Sequence, residues 1–113
     1  MSDSCLFCRI VRGEIPATEV YRTPALVAIR DVSPQAPTHV LVIPTEHIDS
    51  LNAVEDGALL SELLLAARDI ARRERVDLRG YRLVINTNAD GGQSVGHLHV
   101  HVLGGRAMGW PPG

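Results

Sequence analysis

The stretch His97-Leu98-His99-Val100-His101-Val102 places three histidines and three aliphatic residues in strict alternation. This alternation predicts a half-buried β-strand, because successive side chains of a strand point to opposite faces. The three imidazoles would then share one face, about 6.5–7 Å apart. A solvated, histidine-rich face is the alternative, but only five histidines occur in the chain and three of them are here. Because imidazole can act as nucleophile, acid, base or metal ligand near neutral pH, we expect the chemistry in this strand.

A glycine-rich turn, Gly91-Gly92-Gln93-Ser94, precedes the histidine strand. Glycines let backbone N–H groups approach an anion closely, and the Ser94 hydroxyl can donate a further hydrogen bond. Such a turn is a weak signal alone. Joined to three histidines within the next ten residues, it favours phosphoryl chemistry, in which an imidazole attacks phosphorus while nearby donors hold the phosphoryl oxygens.

The rest of the chain contains short apolar runs separated by turn residues, and one long amphipathic segment. Strands are predicted over residues 19–22, 25–31, 40–43, 81–86 and 97–102, helices over residues 5–12 and 55–75, and a turn over residues 88–92. The continuous apolar run 40–43 predicts a central strand buried on both faces. This order predicts an α+β fold: an antiparallel sheet of about five strands, a short N-terminal helix and one long central helix, with the helices on one side of the sheet.

The long predicted helix has one apolar face. The residues at the spacing of that face are Leu60, Leu63, Leu64, Ala67, Ile70 and Ala71. Its arginines fall mostly on the other side, where a solvated face is expected.

A chain of 113 residues is long enough for one domain, residues 1–113, with a single core. Its net charge of −2 argues against general affinity for nucleic acid, so a nucleotide-like ligand would be small and held in a pocket. The most apolar stretch, residues 58–67, is too short to span a bilayer. No signal-peptide pattern opens the chain, and we expect a cytoplasmic location without a membrane partner.

Several segments together resemble a known family. HLHVHVL (97–103) resembles the His-x-His-x-His-x-x motif, with x apolar, of the histidine triad superfamily. DVSPQAPTH (31–39), GGQSV (91–95), LGGR (103–106) and WPPG (110–113) resemble its Hint branch of nucleoside phosphoramidases. The resemblance runs from about Cys5 to the last residue, and it implies the histidine triad fold.

The resemblance implies a catalytic role for four residues. His99 corresponds to the nucleophile that forms a nucleotidyl-histidine intermediate, and His101 to a residue that contacts the phosphate. His39 corresponds to a supporting histidine that orients the triad, and Ser94 to a contact of the phosphate or the leaving group.

The resemblance also implies a site for a purine nucleotide. Asp31 corresponds to the carboxylate that accepts hydrogen bonds from the ribose, Asn86 to a phosphate or leaving-group contact, and Gly92 and Gln93 to the phosphate loop. Four apolar residues correspond to the purine pocket, although ordinary core packing is the alternative for them. The expected nucleotide-binding residues are Phe7, Ile10, Ile29, Asp31, Val32, Asn86, Gly92, Gln93, Ser94, His99 and His101.

Both cysteines of the chain lie in one Cys-x-x-Cys unit, Cys5 and Cys8, a spacing that indicates metal or redox chemistry. With His47 and His97 they form a Cys₂His₂ set that suits a closed, structural zinc site, and many prokaryotic histidine triad proteins with these residues resemble zinc binders. The alternative is that the cysteines only bury one face of the short helix. A thioredoxin-like role is less favoured, because no βαβ pattern surrounds the pair.

Two further features bear on the resemblance. Hint members usually carry a tyrosine before the first triad histidine, whereas this chain has Gly96, which puts leaving-group preference in doubt. The tail, residues 104–113, is either a disordered end or an arm packed near the active site, as its resemblance to the Hint C-terminus implies. The Hint-like pattern and the leucine-rich long helix predict a homodimer.

The leading hypothesis is therefore an enzyme resembling adenosine 5′-monophosphoramidases. It would cleave purine nucleoside phosphoramidates or related adenylates and release the nucleoside monophosphate. One alternative is a zinc-containing, purine-nucleotide-binding module, which would not need a free middle imidazole. The other is a dinucleoside polyphosphate hydrolase, against which the Hint-like tail argues.

Overall fold

Five antiparallel strands form one sheet in the computed structural model, which describes residues 4–113. The strands are β1 (Glu19–Arg22), β2 (Leu26–Arg30), β3 (Thr38–Pro44), β4 (Tyr81–Val84) and β5 (Val100–Gly104). Their order across the sheet is β1-β2-β3-β5-β4. Every residue of β3 is buried at the centre of the sheet, as its apolar run predicts. The predicted α+β fold with five strands is confirmed.

Three helices accompany the sheet: α1 (Leu6–Val11), α2 (Gly57–Arg73) and α3 (Asn88–Gly91). The Asp56 carboxylate caps α2 by accepting from the backbone N–H of Ala58 at 2.9 Å. Residues 88–92, predicted as a turn, instead form the single turn of α3, which ends at Gly92 with a φ of 78°. Among the described residues, no helix is long and apolar enough to cross a membrane.

The helices lie on both faces of the sheet, so the prediction that they share one side was wrong. Leu26 and Ala28 of β2 pack in the core beneath α2, whereas Val27 and Ile29 pack in a second core with Phe7 of α1. A strand that is apolar on both faces needs a covering layer on each side, and the six residues of α1 supply the second layer.

The buried face of α2 differs at its edge from the predicted one. Leu63, Ala67, Ile70 and Ala71 are buried together with Ala66, which was not predicted, whereas Leu64 is 41% exposed and Leu60 is only half-buried. At 100° per residue, Leu64 lies about 90° from the centre of the buried stripe, which leaves it on the flank of the helix.

The histidine stretch enters the sheet later than predicted, because β5 begins only at Val100. Val100 pairs with Val42 of β3, so continuing this register would bring Leu98 opposite Pro44. Proline has no N–H to donate to the ladder, and the N–H of Leu98 donates to the Ile48 carbonyl instead, at 2.7 Å. Alternation nevertheless holds, since Leu98, Val100 and Val102 all face the core beneath α2.

A close approach joins the end of β5 to the chain after α2. A Cβ atom added at Gly104 would lie 2.8 Å from the Cβ of Val76, so only glycine fits there without displacement. This contact brings the segment that follows α2 against the C-terminal end of β5.

Candidate active site and metal centre

The histidine face lies on the side of the sheet covered by α1. His101 of β5 pairs with Leu41 of β3, and His39 pairs with Leu103, so the two imidazoles are diagonal neighbours. His99 lies just before β5, its ring centroid 4.9 Å from that of His101. Phe7 of α1 meets the His99 ring edge-on, with the centroids 5.0 Å apart.

The ring of His99 is fixed by its neighbour in the chain. Its Nδ1 lies 2.8 Å from the backbone carbonyl oxygen of His97. A carbonyl can only accept, so Nδ1 carries the proton and Nε2 keeps its lone pair. Burial lowers the pKa of His99, despite this hydrogen bond and the nearby Asp31 carboxylate, and the ring is neutral near pH 7.

A second chain of hydrogen bonds begins at the backbone of Gln35. Its N–H donates to Nδ1 of His39 at 3.0 Å, so the proton of this neutral, buried imidazole is on Nε2. Nε2 of His39 then donates to Nδ1 of His101 at 2.9 Å. His101 consequently carries its proton on Nε2, as a donor beside His99.

The electrostatics of the pair keep both rings uncharged. Burial, followed by the neighbouring rings of His99 and His39, lowers the pKa of His101 to about 4. Burial also lowers the pKa of His39, although the Asp31 Oδ2 atom lies 3.4 Å from its Nε2 and acts in the opposite direction. The site therefore presents neutral imidazoles with fixed proton positions.

Four side chains form a second cluster next to this site. The ligand atoms of Cys5, Cys8, His47 and His97 all lie within 4.8 Å of one another. Sγ of Cys8 lies 3.1 Å from Nδ1 of His47 and 3.5 Å from Nδ1 of His97, and Sγ of Cys5 lies 3.3 Å from Nδ1 of His97. In a tetrahedral zinc site, a sulfur and a nitrogen ligand are about 3.6 Å apart. The observed separations are close to that value.

The proton positions on the two histidines also suit a metal. Nε2 of His97 donates to the Pro44 carbonyl at 2.9 Å, and Nε2 of His47 donates to the Asp49 carboxylate at 2.8 Å. Both Nδ1 atoms therefore direct lone pairs at the thiols. Metal-bound histidines typically donate their other N–H to a carbonyl or carboxylate in this way. The donor set fits zinc.

The residues predicted to line a purine pocket divide into two groups. Phe7, Ile10 and Ile29 are buried in the core on the α1 side, so all three pack in the core, as the alternative to a purine pocket predicts. Val32 is 98% exposed and belongs to neither core. Asp31 is half-buried, with Oδ1 accepting from the backbone N–H of Ser33 at 2.8 Å and Oδ2 directed at His39.

The glycine-rich loop is held by the Gln93 side chain. Its amide donates to the carbonyls of Asp49 and Val95, and its carbonyl accepts from Asn88. The side chain therefore shapes the loop, and the backbone N–H of Gln93 also stays within it, donating to the Asn88 carbonyl at 3.1 Å. Ser94 and Gly92 are exposed beside it.

The other predicted contacts lie around this loop. Asn86 is half-buried, and its backbone lies against Gly91. A Cβ atom at Gly96 would meet nothing within 4 Å, so the missing side chain leaves open space beside the loop. In the tail, Arg82 of β4 donates to the Gly109 carbonyl at 2.8 Å, and Trp110 is 84% exposed. The arm near the active site stays a prediction.

Three groups that position the histidines were missed by sequence reasoning. They are the N–H of Gln35, the carbonyl of Pro44 and the carboxylate of Asp49. The first two are backbone groups. Every residue carries a carbonyl, and every residue except proline carries an N–H, so nothing in the sequence distinguishes these two. Asp49 follows His47 by two residues, and that spacing was the one available signal.

Comparison with known proteins places these features in a family. The HIT domain family matches residues 12–108. The purine nucleoside phosphoramidase of Escherichia coli strain K12 is 45% identical over 111 residues, covering 96% of this chain and 93% of that protein. A HIT family hydrolase from Legionella pneumophila Philadelphia 1 has a crystal structure that superposes with a TM-score of 0.95 at 52% identity, covering 97% of this chain and all of that one (100%). The crystal structure of a zinc-bound histidine triad family protein from Mycobacterium smegmatis matches with a TM-score of 0.84 at 32% identity, covering 94% of this chain and 78% of that chain.

Proposed function

Since this chain belongs to the HIT domain family, we propose that it is a nucleotide hydrolase, which cleaves purine nucleoside phosphoramidates or related adenylates through a nucleotidyl intermediate on His99. The E. coli relative named as a purine nucleoside phosphoramidase, 45% identical, supports this substrate class. The activity would be that of an adenosine 5′-monophosphoramidase.

One observation carries the proposal: the proton positions of the five histidines. The hydrogen-bond partners of His39, His47, His97 and His101 place the proton of each on Nε2. His99 alone carries it on Nδ1, which leaves an Nε2 lone pair that no other side chain of residues 4–113 occupies. An attacking imidazole needs this arrangement.

The proposed reaction has two displacements at phosphorus. Nε2 of His99 attacks the α-phosphorus, a P–N bond to the imidazole forms, and the P–N bond to the amine breaks; the departing amine is protonated by water. Nε2–H of His101 and the exposed Ser94 hydroxyl donate to the phosphoryl oxygens as their charge increases, while Gly92, which has no side chain, lets the loop approach them. Water then attacks phosphorus, releases the nucleoside monophosphate and restores His99.

The remaining nucleotide contacts are part of the same proposal. Asp31 accepts from the ribose hydroxyls, and the exposed Val32 lies against the purine together with the edge of the core formed by Phe7, Ile10 and Ile29. Asn86 contacts the phosphate or leaving group, and Gln93 shapes the loop beside it. Val32 is almost fully exposed beside the half-buried Asp31 carboxylate. Contact with the nucleotide would cover this valine.

We also propose that Cys5, Cys8, His47 and His97 hold a structural zinc ion. When bound, zinc would supply cross-linking by thiolate and imidazole ligation rather than catalysis. Cys5 and Cys8 flank Phe7, whose ring packs on His99, so fixing this segment fixes a wall beside the nucleophile. The zinc-bound Mycobacterium smegmatis neighbour supports the assignment.

A homodimer completes the proposal. Leu64, on a flank of α2, and Leu65, on its outer side, are 41% and 49% exposed, and β4 is an edge strand of the sheet. A second copy of the chain would cover both features. Sedimentation equilibrium at micromolar concentration should give a dimer, and a stable monomer there would contradict this part of the proposal.

Steady-state kinetics on an adenosine phosphoramidate, in parallel with a diadenosine polyphosphate, test the activity. His99→Ala should fold and still bind AMP in calorimetry, yet lose turnover by several decades, because it lacks the attacking atom. Ser94→Ala is the matched control: it removes one donor, worth up to about 4 kcal/mol, and keeps the nucleophile. A His99→Ala protein with near-normal kcat would refute the mechanism. Preference for the diadenosine compound would show that dinucleoside polyphosphates, and not phosphoramidates, are the substrate class.

A further inference from the structure

A separate cleft lies where the segment after α2 meets the end of β5. It has a volume of about 290 Å³, and three arginines line it, Arg75, Arg79 and Arg106. None of the five histidines lines this cleft. It is therefore distinct from the catalytic face and from the metal cluster.

The positive charge of the cleft is not balanced by an acidic lining residue. Among residues 4–113, no aspartate or glutamate lines it, although the protein as a whole has a net charge of −2. Within residues 4–113, the guanidinium groups of Arg75 and Arg79 have neither a hydrogen bond nor an ion pair, whereas Arg72 nearby pairs with Asp69 at 3.6 Å. Arg106 is held across the cleft by donating to the carbonyls of Gln35 and Ala107.

The backbone at Arg75 is the second observation. α2 ends with Arg75 N–H donating to the Arg72 carbonyl and Val76 N–H donating to the Ala71 carbonyl. This helix end requires a left-handed residue, and Arg75 has a φ of 60°. Glycine is the favoured residue there, since a side chain in this conformation is strained. An arginine at that strained position, with its guanidinium unpaired at a cleft, points to a role for the side chain.

We propose that this cleft binds the phosphate or pyrophosphate group of a small molecule. Guanidinium groups match phosphate oxygens in geometry and charge, and three of them facing one cleft can surround such a group. The volume admits a phosphorylated small molecule but no folded partner. The negative net charge of the protein opposes an extended nucleic-acid backbone.

Binding of a ligand in the cleft would also affect His39, because Gln35 connects His39 to Arg106. The carbonyl of Gln35 accepts from Arg106 at 3.0 Å, and its N–H donates to His39 at 3.0 Å. A ligand that draws on the Arg106 guanidinium therefore perturbs the residue that holds His39. The resonances of His39 should shift when the cleft fills.

Titration with inorganic pyrophosphate at 150 mM salt, about physiological ionic strength, tests the proposal by calorimetry and amide NMR. Wild-type protein should bind one equivalent per chain, with the largest amide shifts at Gly80 and Gly105. The double variant Arg75→Gly, Arg79→Ala should bind at least about tenfold more weakly, one decade in Kd. Glycine at position 75 relieves the strain, so the variant should keep its melting temperature and its turnover of the phosphoramidate.

Arg72→Ala is the matched control, because Arg72 lies on the same helix end but outside the cleft. It should bind pyrophosphate within about twofold of wild type, less than half a kcal/mol. Absence of saturable binding, equal weakening by Arg72→Ala, or shifts centred on Gly92 and Ser94 instead of the cleft would each overturn the proposal.

Discussion

Removing His39 should slow catalysis only through His101. The Nε2–H of His39 donates to Nδ1 of His101 at 2.9 Å and thereby keeps the His101 proton on Nε2, so in the proposed mechanism His39 acts on the phosphoryl group only indirectly. A neutral hydrogen bond contributes about 1 kcal/mol, which corresponds to about a fivefold bias between the two tautomers. Loss of this bias lowers the population of the Nε2–H form by at most the same factor, so His39→Ala should lower kcat/KM by up to about fivefold. His101→Ala, which removes the donor itself, should lower it by about 100-fold to 1000-fold.

The double variant separates this role from a direct one. Once His101 is alanine, His39 has no partner to orient, so adding His39→Ala should change kcat/KM by less than about twofold, leaving a coupling energy of about 1 kcal/mol. His39→Gln, whose amide can reach the same position as Nε2, should restore most of the loss. ¹⁵N NMR of the imidazoles should show His101 moving from the Nε2–H to the Nδ1–H form in His39→Ala alone.

The reasoning is refuted if His39→Ala costs the same factor in both backgrounds, because His39 would then act independently of His101. Urea unfolding of each variant provides the control, since His39 is buried and its loss also affects the core. The His39→Gln protein is the comparison that holds folding most nearly constant.

Three more predictions follow from the metal centre, the histidine pair and the close contact at Gly104. Protein purified without chelator should contain one zinc per chain. The Cys8→Ala variant should lose this zinc and melt at a lower temperature, because ligation ties the N-terminal segment to the rest of the fold. An unchanged zinc content in that variant would contradict the proposed site. Because burial lowers the pKa of His101 from 6.5 to about 4, the native state binds fewer protons than the unfolded chain between these values. Its contribution to stability is thus complete above pH 6.5 and is lost as the pH falls toward 4. The loss is at most about 3 kcal/mol, and urea titrations of His101→Gln should show a shallower decline. Gly104→Ala should lower the free energy of unfolding by about 1–3 kcal/mol, because the added Cβ would overlap Val76. The loss should be smaller in a Val76→Ala background, where the overlap is relieved. Equal losses in both backgrounds would show that the overlap is not the cause.

The sequence predicts the parts of this protein that depend on side-chain chemistry. Alternation at 97–102 places the histidines on one face even though β5 starts at Val100, because side-chain alternation needs only extended backbone. The two cysteines, His47 and His97 meet as the metal prediction requires. The individual nucleotide contacts stay predictions.

What the sequence does not predict depends on tertiary packing and on backbone groups. Nothing local indicates that α1 covers the face opposite α2, because a six-residue apolar helix can pack on either side of a sheet. The exposure of Leu64 depends on where the sheet meets the helix, not on helical period alone. The proton positions come from the N–H of Gln35 and the carbonyls of His97 and Pro44, which carry no sequence signature.

Residue 97 contributes to both centres through different atoms. Its imidazole belongs to the metal cluster, whereas its carbonyl oxygen holds the proton of His99. Any amino acid at this position retains the carbonyl, so the orientation of the nucleophile does not depend on the identity of the side chain. Substitution of Cys5, Cys8, His47 and His97 one at a time would therefore leave the carbonyl that holds the His99 ring in place, provided that the extended backbone at residues 97–99 is held by other packing.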